Sequence, residues 1–365
     1  MVTQDKACRD LAARTVREHT EKLIQELQGV RNPDDLERVH QSRVAARRLR
    51  VALRLFGGCW PDRKVKKWRA AARRLLKALG PARDKDVQIA FVRGVRADVD
   101  DRRVRPGVAR LLLRLEQARA DLQPAVVKAA ERFERSGVAE NLLDEADALL
   151  DGNDDTCAPV PGPAVFREAG RELLQQAEQL LAVQDCLEDP SAAERHHAMR
   201  IAAKKLRYTM SALAPLYEGE LDAAIAAAKR LQDLLGELHD CDVWRQHLAD
   251  FLKDERQRTV SYFGTAAPMR LIRPGIDFII DQRAAERQRL FGELVDFWKT
   301  LNQQRLWGDL MQTVATRAAP RGPAEPASEA VAEPASEAAA DPAAEAAANP
   351  AAEASPEMPL GAAGS

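Results

Sequence analysis

The chain has 365 residues, of which 45% are hydrophobic and 30% are charged, and its formal net charge is -1. This length is sufficient for two ordinary domains, each with its own buried core. The N-terminus mixes charges and lacks the apolar segment of a secretory signal, and no later run reaches the roughly 18 apolar residues of a membrane span. We therefore expect a cytoplasmic protein that has no membrane partner.

The cysteines are five in number and include no C-x-x-C pair. An odd count argues against a disulfide framework, and the spacing argues against a zinc knuckle. We interpret them as reduced and mostly buried thiols. They are Cys8, Cys59, Cys157, Cys186 and Cys241.

Apolar residues recur at helical spacing along most of the chain, and alternating strand patterns are scarce. The segment Asp151–Ala164 contains three prolines and is the one obvious internal break. The sequence thus predicts an all-α chain with a first bundle at 1–152 and a second at 160–315. Helix starts are predicted at Asn32-Pro33, Pro61-Asp62 and Asp189-Pro190, and helix ends at Gly29, Gly57-Gly58 and Gly80.

Two sequence blocks occur twice. HQSRVAARRLR from His40 matches HAMRIAAKKLR from His197 at six of eleven positions, with an offset of 157 residues. ARRLLKALGPARDKDV from Ala72 matches AKRLQDLLGELHDCDV from Ala228 with an offset of 156, and both share a Leu-Gly step and a D-x-D-V ending. The same order and nearly the same offset indicate two related helical bundles, which a pseudo-two-fold axis could join.

The first block concentrates positive charge on one helix face. At 100° per residue its cationic and ionisable residues fall within an arc of about 80°, and most other directions are apolar. Such a helix is buried on most sides, so the arc is expected to face a groove or channel inside the protein. The residues of this stripe are His40, Arg43, Arg47, Arg50 and Arg54, and those of the second are His197, Arg200, Lys204 and Arg207, with Ser211 in place of Arg54.

Internal ion pairing does not account for these charges. Residues 39–87 contain fifteen lysines and arginines but three acids, and residues 195–217 contain five bases and no acid. Neighbouring like charges on a helix cost a few tenths of a kcal/mol each, so keeping them indicates an anionic partner. The alternative is an ordinary solvated charged face.

The repeated H-x-x-R-x-A-A-[RK]-[RK]-L-R block, followed by the L-G and D-x-D-V block, resembles the CHAD family, the conserved histidine α-helical domain. The resemblance covers about residues 5–310. It implies an all-helical fold of two four-helix bundles around a basic central channel, and it implies binding of inorganic polyphosphate. We further expect a location at polyphosphate granules and no cofactor or metal.

The predicted polyphosphate-binding set combines both stripes with bases of the second block. A ligand made entirely of phosphate needs guanidinium and ammonium groups along its length but no stacking surface. Few aromatic residues lie in the stripes, and Phe56 and Tyr208 are off the arc, so a nucleic acid is the less favoured ligand. Besides the stripes, the set contains Arg73, Arg74, Lys77, Arg83, Lys229, Arg230 and His239.

A metal-dependent phosphohydrolase is the enzymatic alternative. The sequence HDCD, from His239 to Asp242, contains the His-Asp doublet of such enzymes, which bind divalent metal. The first half has RDKD at the equivalent place, and an arginine cannot bind a metal ion, so we favour a protein that is not an enzyme. Asp84 and Asp240 are expected to cap a helix or to orient neighbouring bases.

The C-terminal segment 319–365 repeats an octad of alanine, proline and acid, with eight acids and one base. Prolines every eight residues and the lack of large apolar anchors predict a disordered acidic tail. Its role is either solvation or that of an acidic pseudo-ligand for the basic region.

Two experimental expectations follow, one for the histidines and one for a control position. His40 and His197 lie on the cationic arcs and should gain protons with a phosphate ligand, so binding should tighten as pH falls through roughly 6.5. Arg119 lies outside both blocks, so Arg119→Ala is expected to have little effect.

Overall fold

The structure is a computed structural model that describes residues 5–33, 35–151 and 161–319. Within these ranges every regular element is a helix, which confirms the all-α fold class. The predicted disordered tail lies outside the described residues, apart from Ala319. The ten α-helices of the described part are α1 (Lys6–Gly29), α2 (Leu36–Leu55), α3 (Asp62–Asp98), α4 (Arg105–Glu134), α5 (Val138–Asp151), α6 (Pro163–Leu181), α7 (Ala193–Leu213), α8 (Asp222–Phe263), α9 (Met269–Gln303) and α10 (Leu306–Ala318).

The helix order repeats in the two halves of the chain. In the first half each helix packs against the next, and α5 closes the arrangement by packing against α1. The second half repeats this pattern, with α10 against α6. Each half therefore consists of four consecutive helices closed by a short fifth, and the ten helices belong to one compact unit.

The buried apolar residues form two clusters. The larger one draws on both halves and contains Phe56 and Trp68 from the first and Tyr217 from the second. The smaller one joins the far ends of α3, α4, α8 and α9, and it includes Val108 and Trp244. None of the described helices combines the length and apolar composition that crossing a bilayer requires.

The two halves meet most closely at a pair of glycines that the sequence analysis did not single out. Gly107 in α4 and Gly275 in α9 each follow an Arg-Pro pair in the sequence. A Cβ on Gly107 would lie 2.8 Å from the Cα of Gly275, and a Cβ on Gly275 would lie 2.7 Å from the Cα of Gly107. Equivalent residues of the repeats thus contact each other, as expected when a two-fold axis relates them. The repeated R-P-G triplet was the available signal.

The helix boundaries follow local chemistry at most predicted positions. Gly29 is the last residue of α1, and α3 begins at Asp62 as expected. The Asn32 and Asp189 positions start a turn that precedes the helix, because the backbone N–H groups of Asp35 and Ala192 donate to their carbonyls. Consequently α2 and α7 begin three residues after the predicted prolines.

Gly80 does not end a helix, and this prediction was wrong. Helix α3 continues through Gly80 to Asp98, and α8 continues through the equivalent Gly236 to Phe263. A glycine inside a helix costs roughly 1 kcal/mol relative to alanine. The benefit of Gly80 is space for the side chain of Arg43 from the neighbouring helix α2.

Candidate functional site

A cleft of about 580 Å³ lies between α2 and α7, with α3 and α6 at its sides. Helices α2 and α7 are equivalent in the repeat and contact each other, so both stripes approach the same space. This space is called the basic cleft below. Its cationic lining residues are Arg43, Arg47, Arg50, Arg54, Arg69, Lys204 and Lys205.

Lys204 lies in a strongly positive environment within the basic cleft. Burial, followed by the charges of Arg47, Arg200, Arg43 and Arg207, lowers the pKa of Lys204 to about 8. Two of these arginines belong to α2 and two to α7. Among the described residues, no carboxylate forms an ion pair with Arg43, Arg47 or Lys204. The two stripes therefore act electrostatically on a single amine.

Two equivalent glycines make room for two equivalent arginines. A Cβ on Gly80 would lie 3.0 Å from Nη1 of Arg43, and that same nitrogen donates to the carbonyl oxygen of Leu76 at 2.8 Å. A Cβ on Gly236 would lie 3.7 Å from Nε of Arg200. Gly80 thus leaves space for the guanidinium of Arg43, whereas a Cβ on Gly236 would be in ordinary van der Waals contact with Arg200.

Arg200 and His197 carry buried polar atoms whose hydrogen-bonding capacity is unused. Nε of Arg200 and Nδ1 of His197 are inaccessible to solvent and have no hydrogen-bond partner within the described ranges. The His197 ring packs against the His239 ring with centroids 4.3 Å apart. Unsatisfied buried donors are costly, so this end of α7 favours an added acceptor.

Tyr208 belongs to the site, although the sequence analysis placed it off the cationic arc. The guanidinium carbon of Arg207 lies 4.5 Å from the centroid of its ring, and that of Arg47 lies 5.8 Å from it. A second cavity of about 290 Å³, lined by Arg48 and Arg207, begins on the other side of Tyr208. The ring thus lies between two cation-lined spaces and contacts arginines of both halves.

Arg54 has a different environment from the other stripe residues. It forms an ion pair with Glu172 of α6, and its Nη2 donates to the hydroxyl of Thr209 at 2.8 Å. The expectation of a stripe without internal partners was therefore wrong at Arg54. This side chain instead links the first half to two helices of the second.

The sequence blocks and the fold can now be compared with known proteins. A family model described as the CHAD domain matches residues 14–249. The chain belongs to the CHAD family. Among solved structures, the crystal structure of the CHAD domain from the plant Ricinus communis is similar, with 21% identity and a TM-score of 0.52. The likeness covers 86% of this chain and 92% of that chain, and at this identity it supports the fold alone. No curated protein matches the chain.

Two histidines of the predicted set, His40 and His239, have lowered pKa values. Burial, the charge of Arg83 and the charges of Arg47 and Arg43 lower the pKa of His40, and Glu37 opposes them in part. Burial and the neighbours His197 and Arg200 lower the pKa of His239. Ligand-free His40 therefore stays neutral to a lower pH than an ordinary histidine, chiefly because it is partly buried, and the tightening of binding at acidic pH stays a prediction.

Two bases of the second block lie beside the stripes. The charge of Arg83 acts on His40 and Arg43. Partial burial and the charges of Arg69 and Arg73 lower the pKa of Arg50. The structure therefore brings Arg73 and Arg83 into the electrostatic neighbourhood of the basic cleft.

The other four bases of the second block point elsewhere. Arg74 lines a small separate cavity between α3 and α4, and Arg230 forms an ion pair with Glu293 of α9. Arg74 directly follows Arg73, and Arg230 directly follows the equivalent Lys229. Adjacent residues on a helix point about 100° apart, so Arg74 and Arg230 face a different direction from the residues before them. Lys77 and Lys229 are exposed and are not part of the cleft lining.

The D-x-D-V endings of both CHAD repeats hold helices together. Nε of Arg119 in α4 donates to Oδ1 of Asp86 at 2.5 Å, and Nε of Arg287 in α9 donates to Oδ1 of Asp242 at 2.7 Å. Arg119 is buried and pairs with Asp86 of the second block, so it is not remote from the motifs in the fold, and the small effect of Arg119→Ala on binding stays a prediction. The first acids of the motif, Asp84 and Asp240, lie inside α3 and α8, so neither caps a helix.

Two residues of the HDCD segment, His239 and Asp242, have partners other than a metal ion. Asp242 is engaged by Arg287, and His239 packs against His197. Among the residues that the structure describes, no group of three or more metal-ligating side chains could hold a metal ion.

Proposed function

We propose that the protein binds inorganic polyphosphate in the basic cleft and does not alter it chemically. The observation that carries this proposal is the environment of Lys204, whose pKa is lowered to about 8 by burial and by four arginines of two repeats. Holding these charges together without a counterion destabilises the ligand-free protein. A chain of phosphates would supply the missing negative charge along the whole cleft.

Phosphate groups fit the lining better than nucleobases do. The lining offers guanidinium forks and ammonium groups, which bind phosphate oxygens at short range. Sequence-independent binding of single-stranded nucleic acid uses open aromatic faces for stacking. The one aromatic ring of the cleft lining, Tyr208, is buried and is already contacted by Arg47 and Arg207.

A single polymer is proposed to contact both repeats. Arg43 and Arg47 come from α2, Arg200 and Arg207 come from α7, and all four act on Lys204. Phosphates bound near Lys204 would therefore be shared between the halves. Through this interaction the protein is proposed to associate with polyphosphate granules in the cytoplasm.

A titration at fixed salt tests the proposal. Full-length protein is titrated with polyphosphate, single-stranded DNA and RNA, and Arg47→Ala is compared with Arg135→Ala, which changes an exposed arginine directly after α4. We expect the strongest binding with polyphosphate, a steep loss of affinity with salt, and a roughly tenfold or larger loss for Arg47→Ala alone. Equal effects of the two substitutions, or preference for a nucleic acid, would contradict the proposal.

A second arm of the same experiment addresses the enzymatic alternative. Polyphosphate is incubated with the protein and a divalent metal ion, and released phosphate is measured. We expect retained complex and no release. Release that disappears in His239→Ala would instead favour the phosphohydrolase.

A further inference from the structure

The hairpin formed by α8 and α9 is longer than its counterpart in the first half. The equivalent ion pairs mark the same positions in both repeats: Asp86 and Arg119 are 33 residues apart, whereas Asp242 and Arg287 are 45 apart. The second hairpin thus contains twelve additional residues. The first half has no residues equivalent to these twelve. The extra helical turns at the end of α8 and the start of α9 therefore extend beyond the region where the two halves pack in equivalent ways.

The end of this extension exposes large apolar side chains. Tyr262 is 83% exposed, and Phe263 and Leu271 are each 59% exposed. The two aromatic rings pack against each other with centroids 4.8 Å apart, directly before Gly264, whose φ of 71° ends α8. Side chains of this size are normally buried in soluble proteins, and a group of them at one place indicates an interaction surface.

The same end of the hairpin is positively charged. Residues 256–273 contain four arginines and no acid: Arg256, Arg258, Arg270 and Arg273, of which Arg273 forms an ion pair with Asp277 outside this range. Glu255, just before this range, is buried and forms ion pairs with Arg110 and Arg114 of α4. Its negative charge is therefore balanced by α4 and does not offset the arginines of the tip. The resulting surface has exposed apolar side chains at its end and arginines around them. The hairpin tip is defined below as residues 256–273.

We propose that the hairpin tip docks onto the surface of an anionic lipid bilayer. Tyr262, Phe263 and Leu271 would enter the boundary between headgroups and acyl chains, and the arginines would contact acidic headgroups. This arrangement needs no membrane-spanning helix. The sequence analysis expected no membrane partner because it considered only membrane-spanning segments. A bilayer bound at its surface is a peripheral partner, which that expectation did not cover.

Charge complementarity favours a bilayer over the other occupants. A second copy of the chain would bring two hairpin tips of the same charge together, which is unfavourable. A nucleic acid would match the arginines but offers no apolar interior for Leu271. An acidic lipid surface supplies both a negative layer and an apolar layer beneath it. The proposal does not depend on polyphosphate binding, because the hairpin tip and the basic cleft share no residues.

Vesicle sedimentation of the full-length protein tests this inference. The probes are vesicles of phosphatidylcholine alone and of phosphatidylcholine mixed with phosphatidylserine. We expect sedimentation with the acidic vesicles only, and a loss of about tenfold or more for the double variant Tyr262→Ser/Phe263→Ser. The matched control is Leu113→Ser, which removes an exposed leucine from α4 and should have no effect.

Two further measurements separate this inference from the proposed function. The tip double variant should bind polyphosphate as the wild type does, and Arg47→Ala should still sediment with acidic vesicles. Sedimentation that is absent, that Arg47→Ala abolishes, or that the tip variant retains would overturn the inference. A tip-dependent dimer, or tip-dependent binding to RNA without binding to vesicles, would also overturn it.

Discussion

Two regions of this CHAD protein use repeated charged residues in opposite ways. Where α3 meets α4 and α8 meets α9, each arginine contacts an aspartate of the repeated D-x-D-V motif. Where α2 meets α7, Arg43, Arg47 and Lys204 face one another without an ion-pairing carboxylate among the described residues. The paired charges hold helices together, whereas the unpaired ones raise the free energy of the empty protein and favour an anionic ligand.

This difference shows that a charged residue conserved between the two repeats can have either a structural role or a binding role, and that the repeat alone does not tell which. Arg119 and Arg47 are both arginines inside one repeat, but one has its counter-charge within the fold and the other lacks it. Substituting the first should therefore affect stability, and substituting the second should affect binding.

The largest expected effect is on the paired region. Asp86→Asn leaves the buried Arg119 guanidinium without its counter-charge, and breaking a buried pair costs about 3 kcal/mol or more of unfolding free energy. Urea denaturation measures this loss. Asp242→Asn serves as the comparison and should cost less, because its pair with Arg287 is more exposed. If Asp86→Asn leaves stability unchanged but weakens polyphosphate binding, the structural role assigned to Asp86 is wrong and a role in binding replaces it.

The unpaired region should show the opposite combination. Lys204→Met removes a half-buried charge among four arginines, so we expect a higher melting temperature without ligand and an affinity for polyphosphate that is lower by about tenfold or more. Thermal unfolding and a binding titration on the same samples test both parts. If Lys204→Met lowers the melting temperature in the absence of ligand, the charge repulsion proposed for the basic cleft is refuted.

The sequence predicted the all-α fold, the repeat and the two stripes, because helical periodicity and duplicated motifs are local signals. It failed at Gly80, where the local rule for helix ends was overridden by the space that Arg43 needs from another helix. It failed likewise at Arg54, because its partner Glu172 is 118 residues away along the chain. Contacts of this kind depend on how helices pack, which spacing within one segment does not encode.

The pH dependence of binding provides a further distinction between the two regions. In the ligand-free protein the pKa of Lys204 is lowered to about 8, and bound phosphate should raise it. Binding above that pH therefore takes up a proton, so affinity should fall as pH rises past 8, by up to about tenfold per pH unit. Lys204→Arg should abolish this alkaline loss, since arginine stays charged.

Lys205→Arg is the matched control, since Lys205 also lines the basic cleft but is exposed. It should retain the alkaline loss. An identical alkaline profile for Lys204→Arg and the wild type would show that Lys204 is not the titrating group.

The smallest expected effect concerns the glycines that accommodate the arginines. A Cβ at Gly80 meets Arg43 at 3.0 Å, so Gly80→Ala should displace the guanidinium and weaken polyphosphate binding a few-fold, while the helix gains up to about 1 kcal/mol. Gly236→Ala has 3.7 Å to Arg200 and should weaken binding less. Calorimetric titration of both variants compares the two repeats directly. A larger loss of polyphosphate affinity for Gly236→Ala than for Gly80→Ala would contradict the closer fit assigned to Arg43.

The central claim is that the two repeats form one binding site, and its most direct test is a titration with a short polyphosphate that counts sites. Wild type, Arg47→Ala and Lys204→Ala are each titrated to saturation, since these residues come from different repeats and act on one another. We predict one class of sites in all three proteins, with affinity lowered at that site by either substitution. Two classes of sites in the wild type, of which each substitution removes one and spares the other, would contradict a shared site.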